Sequence, residues 1–272
     1  MKSLRFLLIS ISCFLIITLY YFRNHFRLLV MSRYPPAVSV IKKISTREEQ
    51  YFNATIYQCR RLYHRRPIAW FNDLYSDKLL VIRMPIKQFV FNNLVLPPVG
   101  KDEISTRTTF YFNTLFFDQE YIATTGVIDD KEIINRRPRK RRVGLDQNGN
   151  LTIFSSGRNA GYNDVFQAPY ILKRNTRPKG NFNTLNYRQF IAVRNNELIY
   201  ISGYNNSLIS WKDVRALMQQ MNLESVIALD GGASLDYFFE GKNNSYSFSS
   251  IPFRWFWFYL NSPYYLEGKL KY

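Results

Sequence analysis

Between Ser210 and Phe239 the chain leaves itself little choice of local structure. Ser210 followed by Asp213 has the capping-box spacing, and Val214, Leu217, Met218 and Met221 recur at i, i+3, i+4 and i+7. Ser210 to about Asn222 therefore reads as an amphipathic helix with one buried face. Val226 to Leu229 follows as an apolar run of strand length. It ends in Asp230-Gly231-Gly232, with a hydroxyl at Ser234. An acid and paired glycines at the carboxyl end of a buried strand set a carboxylate where backbone can approach a ligand closely. Asp-Gly-Gly is equally the composition of a hairpin turn, so the segment alone admits both readings.

The rest of the chain is β-rich from about Leu79. Leu79 to Met84 is a short apolar strand and Phe110 to Phe117 a longer aromatic one. Val143 to Leu145 and Leu151 to Phe154 flank Asp146-Gln147-Asn148-Gly149-Asn150, where Asn-Gly permits positive φ. Phe190 to Arg194 and Leu198 to Tyr204 flank Asn195-Asn196 in the same way. Adjacent hairpins imply mainly antiparallel pairing, and one clear helix against them makes the class α+β. The expected architecture is one domain with a mainly antiparallel sheet and a few packing helices. The aromatic run Phe253 to Leu260, with Arg254, has strand length and reads as core ahead of a sugar-binding or interfacial surface.

The amino end differs sharply in composition. Lys2 and Arg5 precede Phe6 to Phe22, which carries no charge, and no small-x-small cleavage site intervenes before Arg23. The reading is an uncleaved N-terminal transmembrane helix. The division expected is 1–22 as membrane anchor (or uncleaved signal), 23–66 as a basic juxtamembrane stalk and entry element, with a short helix at Glu48, Glu49 and Gln50, and 67–272 as the domain. Lys2 and Arg5 favour an inside amino end, whereas Arg23, Arg27 and Arg33 oppose it.

Thirty-seven Lys and Arg against 20 Asp and Glu give a formal charge of +17, which favours anionic polymers as partners. Nucleic acid is not expected, because the densest cluster, Arg136 to Arg142, lacks interleaved aromatics and reads as a solvated loop. His25 and His64 are the only histidines, which disfavours a histidine-rich zinc site and a Ser-His-Asp triad. Cys13, inside the apolar run, and Cys59 supply no intradomain disulfide framework. Catalysis, if present, falls to carboxylates, arginines and amides, with no metal and no cofactor predicted.

The run ISWKDVRALMQQMNLESVIALDGGASLDYFF resembles the signature of the phosphodiester glycosidase family, in which a helix and a short strand lead into Leu-Asp-Gly-Gly-Gly-Ser. Ala233 stands in place of the third glycine. FYFNTLFF, with Asn113, is similar to the family's Asn-Gly-Gly-Phe-Phe block, with Thr114 and Leu115 where glycines are usual. Gln167 to Asn175, Asn186 to Val193 and the run around Arg254 resemble further blocks in family order. The resemblance implies hydrolysis of a sugar from a phosphodiester linkage in an envelope or extracellular glycan. A phosphate-containing glycan is then the partner, and the domain lies outside the cytoplasm of a bacterial envelope, attached by a single pass. It assigns Asp230 as central carboxylate and Arg188 as the phosphate-engaging cation. Asn113, Gly231, Gly232, Ser234, Arg254 and Asp236 become substrate-binding candidates. The alternative is a non-catalytic glycan-binding or exopolysaccharide-assembly protein on the same fold.

Overall fold

The computed structural model describes residues 10–12, 14, 27–28, 30–31, 33–95, 109–114, 126–128, 131–133, 141–145, 151–155, 164–167, 170–175, 181–229, 231, 235–249 and 264–271. These residues form three antiparallel sheets and few helices, an α+β architecture. The first sheet runs β1 (Val38–Glu48), β2 (Asn53–Leu62), β3 (Lys78–Pro85), β13 (Glu197–Gly203), β12 (Gln189–Arg194), β14 (Ser225–Ala228), β11 (Tyr170–Lys173). The second is β16 (Ser245–Ser249), β15 (Asp236–Glu240), β5 (Phe110–Asn113), β17 (Tyr264–Leu270), β4 (Phe89–Val95). The third is β7 (Lys131–Ile133), β6 (Gly126–Ile128), β10 (Asp164–Gln167), β8 (Arg141–Leu145), β9 (Leu151–Ser155).

The middle of the first sheet is buried on both faces, which explains why β3 is a nearly continuous apolar run. Leu80, Ile82 and Met84 face the second sheet, in one core with Phe89, Phe110, Phe112, Phe239 and Leu266. Tyr200 bridges the sheets, its ring 5.0 Å from Phe112 and 4.9 Å from Phe239 between centroids. Leu79 and Val81 point the other way, into a second core with Phe190, Ile199 and Ile201. Trp211, Val214, Leu217 and Met218 of the longer helix close that core. Of the α-helices with both ends among the described residues, α1 (Arg66–Asp73) carries Pro67 in its first turn, where a missing N–H costs nothing. The second, α2 (Trp211–Gln220), has Ser210 as N-cap with both capping-box hydrogen bonds formed.

Asn195 and Asn196 adopt φ of 52° and 60° at the β12–β13 turn, the left-handed pair that a tight hairpin needs. The Val143–Leu151 hairpin is present as β8 and β9, with 146–150 outside the described residues. β5 is described only from Phe110 to Asn113, and 115–117 also lie outside. The segment 38–62, expected within the juxtamembrane stalk and entry element, forms β1 and β2 at the edge of the first sheet. No helix forms at Glu48 to Gln50. Glu49 instead turns toward the β15–β16 loop, where its carboxylate accepts from the Asn243 N–H at 3.0 Å and the Asn244 amide at 2.9 Å. Among the described residues no helix is long and apolar enough to cross a membrane. Of the run 6–22, only 10–12 and 14 are described, all helical. The aromatic run 253–260 lies outside the described residues.

Candidate functional site

The end of β5, the starts of β12 and β15 and the exit from β14 converge where the two large sheets meet. Asn113, at the end of β5, is fully buried. Its side-chain oxygen accepts from the Asp236 N–H at 2.9 Å and from the Gln189 side-chain amide at 2.6 Å. The same Gln189 nitrogen also donates to the Asn113 carbonyl at 2.7 Å, and Tyr200 donates to Gln189 Oε1 at 2.9 Å. Gln189 thus clamps the first sheet to the second. Sequence reading missed it, because a lone glutamine beside an apolar strand carries no signal of its own.

Asp236 opens β15 and is almost completely buried. Burial, and then the Asp236 carboxylate, push the Tyr111 hydroxyl well above its ordinary range. Among the described residues no three His, Cys, Asp or Glu side chains come together as a metal would require.

Arg188 turns the opposite way from Gln189, as strand alternation demands. Its guanidinium lies over the Phe182 ring, 4.8 Å from the centroid, on the side of the sheet packed by α2. It donates to the Thr184 carbonyl at 3.5 Å, and its own carbonyl accepts from the Ser202 hydroxyl at 3.0 Å. Burial lowers its pKa to about 10, so the side chain remains cationic at neutral pH in a poorly solvated place. Arg188 and Gln189, the residue that holds Asn113, are therefore adjacent in the chain but face opposite sides of the first sheet.

Gly231 has a packing reason of its own. A Cβ at Gly231 would lie 2.8 Å from the Tyr187 carbonyl oxygen and 3.3 Å from the Arg188 Cα, so backbone packs on backbone there. Leu229 donates its N–H to the Gln189 carbonyl at 3.1 Å. Both chain neighbours of Asp230 thus rest on the start of β12. Asp230 itself, with Gly232, Ser234 and Arg254, lies outside the described residues. A polar groove of about 520 Å³ lies elsewhere, at the far end of β12, lined among others by Lys43, Tyr57, Arg83, Arg194 and Glu197.

Two antiparallel sheets stacked face to face, with a helix over the outer face of one and Gly231 leaving a strand beside the part-buried Arg188, define a layered α+β fold. The chain belongs to the phosphodiester glycosidase family, whose sequence profile matches residues 106–255, more than half its length. The catalytic domain of zebrafish N-acetylglucosamine-1-phosphodiester alpha-N-acetylglucosaminidase, auto-inhibited by its pro-peptide, shares the fold. It aligns over 87% of this chain and 89% of its own, at 13% identity and a TM-score of 0.52. A hypothetical protein from Synechocystis aligns over 85% of this chain and 64% of its own, at 12% identity and a TM-score of 0.42. No curated protein matches the sequence.

Proposed function

We propose that this chain hydrolyses a sugar from a phosphodiester linkage in an envelope or extracellular glycan, with Asp230 and Arg188 as its working pair. The observation that carries the reading is strand register. Phe190 lies opposite Ala228 and Ile191 opposite Ile227 in the β12–β14 pair. Continuing that antiparallel count sets Gln189 against Leu229, in keeping with the Leu229 to Gln189 hydrogen bond, and Gly231 packs on the Tyr187 and Arg188 backbone. A carboxylate carried between Leu229 and Gly231, with the part-buried Arg188 guanidinium on the neighbouring segment, would suit cleavage at an anomeric carbon. The bond from that carbon to the phosphate oxygen breaks, and the carboxylate stabilises the oxocarbenium-like transition state. The phosphate departs as an anion onto Arg188, and water adds to the carbon, losing its proton to the carboxylate or to solvent. In this reading Asn113 and Gln189 are positioning residues that fix Asp236 and the start of β12. Gly231, Gly232, Ser234, Arg254 and Asp236 are the substrate-binding candidates of this reading.

The same reading holds the protein to a membrane through 6–22, with the domain outside the cytoplasm. Ile11 and Phe14, in helical residues of that run, are both exposed, as side chains facing lipid would be. A second reading, glycan binding without turnover, is favoured by Thr114. This residue stands where the family has glycine and is buried beside Asn113.

Asp230→Asn in the full chain is expected to leave the thermal transition unchanged and to lower hydrolysis of an aryl or nucleotide sugar-1-phosphodiester by about 100-fold or more. Full activity in that variant sinks the assignment. Saturable binding of the diester by the wild type without any turnover favours the second reading.

A further inference from the structure

The outward face of α1 has the wrong composition for a helix facing only water. Ile68, Phe71, Asn72 and Tyr75 recur at i, i+3, i+4 and i+7 on the inward side. Ile68 and Phe71 pack on the inter-sheet core, and the Phe71 and Tyr75 rings meet at 5.5 Å. The opposite face carries Arg66, Trp70, Asp73 and Leu74, and Trp70 is 69% exposed and Leu74 60%. Leu62, at the end of β2, is 64% exposed, and His64, Arg65 and Arg66 lead from it into the helix, all exposed. Across the β1–β2 pair, exposed Val38 faces Leu62 and exposed Val40 faces Arg60. Apolar side chains with arginines at their margin are the composition of a segment that lies in a headgroup layer.

Chain connectivity places this face. Arg27 is fixed to the end of α1, its guanidinium 4.2 Å from the Tyr75 ring centroid and hydrogen-bonded to Asp77 at 2.7 Å. The apolar run ends at Phe22, five residues earlier, a reach of at most about 18 Å. Whatever holds that run holds α1 close to it.

We propose that the outward face of α1, with Trp70 and Leu74 as apolar contacts and Arg65 and Arg66 as headgroup contacts, docks on an anionic lipid surface and fixes the domain's orientation on it. The proposal rests on the reading of 6–22 as a membrane anchor, and its test separates the two. The full chain carrying Cys13→Ser and Trp70→Cys, labelled at residue 70 with an environment-sensitive dye, is reconstituted in vesicles of phosphatidylcholine alone or mixed with phosphatidylglycerol. Cys59 is buried and stays unlabelled. Leu74→Cys serves as a second reporter.

Co-flotation with both vesicle types reads the anchor. The expected result is blue-shifted emission, quenched by spin-labelled lipid, with phosphatidylglycerol present, and loss of both on Arg65→Glu/Arg66→Glu. Flotation with water-like emission from both reporters in both lipids overturns the docking while sparing the anchor. Failure to float overturns both. A blue shift that is indifferent to phosphatidylglycerol and to the charge reversals overturns recognition of anionic lipid.

Discussion

Arg188 is a cation kept where solvation is poor, and an anionic ligand is what would relieve that cost. Burial brings its pKa down to about 10 from the ordinary guanidinium range. The sign of the resulting pH dependence follows directly. A phosphate binds the protonated guanidinium, so affinity is full well below about pH 10 and falls as pH rises through that value, by up to about tenfold per unit. Calorimetric titration of the wild type with a sugar 1-phosphate across this range is expected to show the decline. Arg188→Met is expected to bind weakly and to lack the part of the decline that the wild type adds to the common titration of lysines. Equal affinity in the two proteins removes Arg188 from the phosphate site. Gly231 sets the limit at the same scale, since any side chain there meets the Tyr187 carbonyl and displaces the strand that carries Arg188.

At the scale of elements, α2 closes the second core, and its start is fixed by Ser210. The Ser210 hydroxyl accepts from the Asp213 N–H at 3.4 Å, while the Ser210 N–H donates to the Asp213 carboxylate at 2.6 Å. Ser210→Ala is expected to cost about 1 kcal/mol, read as a lower denaturant midpoint with an unchanged slope. An unchanged midpoint would show that Arg61, whose guanidinium pairs with the Asp213 carboxylate at 2.9 Å, and the helix packing hold the turn without the hydroxyl. This helix was legible because its cap and its apolar stripe are local in sequence. The β12–β13 hairpin was legible for the same reason, since Asn195-Asn196 supplies the φ the turn needs. β1 was not: its sequence, VSVIKKISTRE, alternates weakly because an edge strand has few faces to bury and carries Lys42 and Lys43 against edge pairing. At the proposed site, Asp230 and the glycines are candidates by composition alone. The Gln189 clamp did not, because its meaning lies in Asn113, far away along the chain.

At the scale of the molecule, one buried ionic network joins segments that no local pattern connects. Asp77 accepts hydrogen bonds from Arg27 and Arg61 and from the Leu208 N–H at 3.1 Å. Arg61 also pairs with Asp213 at 2.9 Å, and Asp213 accepts from Ser39. The segment before the first sheet, β1, β2, the start of β3 and the cap of α2 therefore share two carboxylates and two guanidiniums that balance in charge. Burial opposes ionisation of Asp77, but the Arg61 charge, and then the hydrogen bond and charge of Arg27, outweigh it and hold the carboxyl below its ordinary 3.8. A depressed carboxylate contributes stability that is present above the unfolded value, near about 4, and is lost as pH falls through the folded value. The melting temperature is thus expected to drop as pH is lowered below about 4. Asp77→Asn should cost about 3–5 kcal/mol at neutral pH by leaving two buried arginines short of charge, and should flatten that acid slope. Glu49 is the control, since its carboxyl is also held low, by the Asn243 and Asn244 hydrogen bonds outweighing burial. If Glu49→Gln flattens the acid slope and Asp77→Asn does not, acid sensitivity belongs to the β15–β16 loop and not to the network that ties the amino end to the fold.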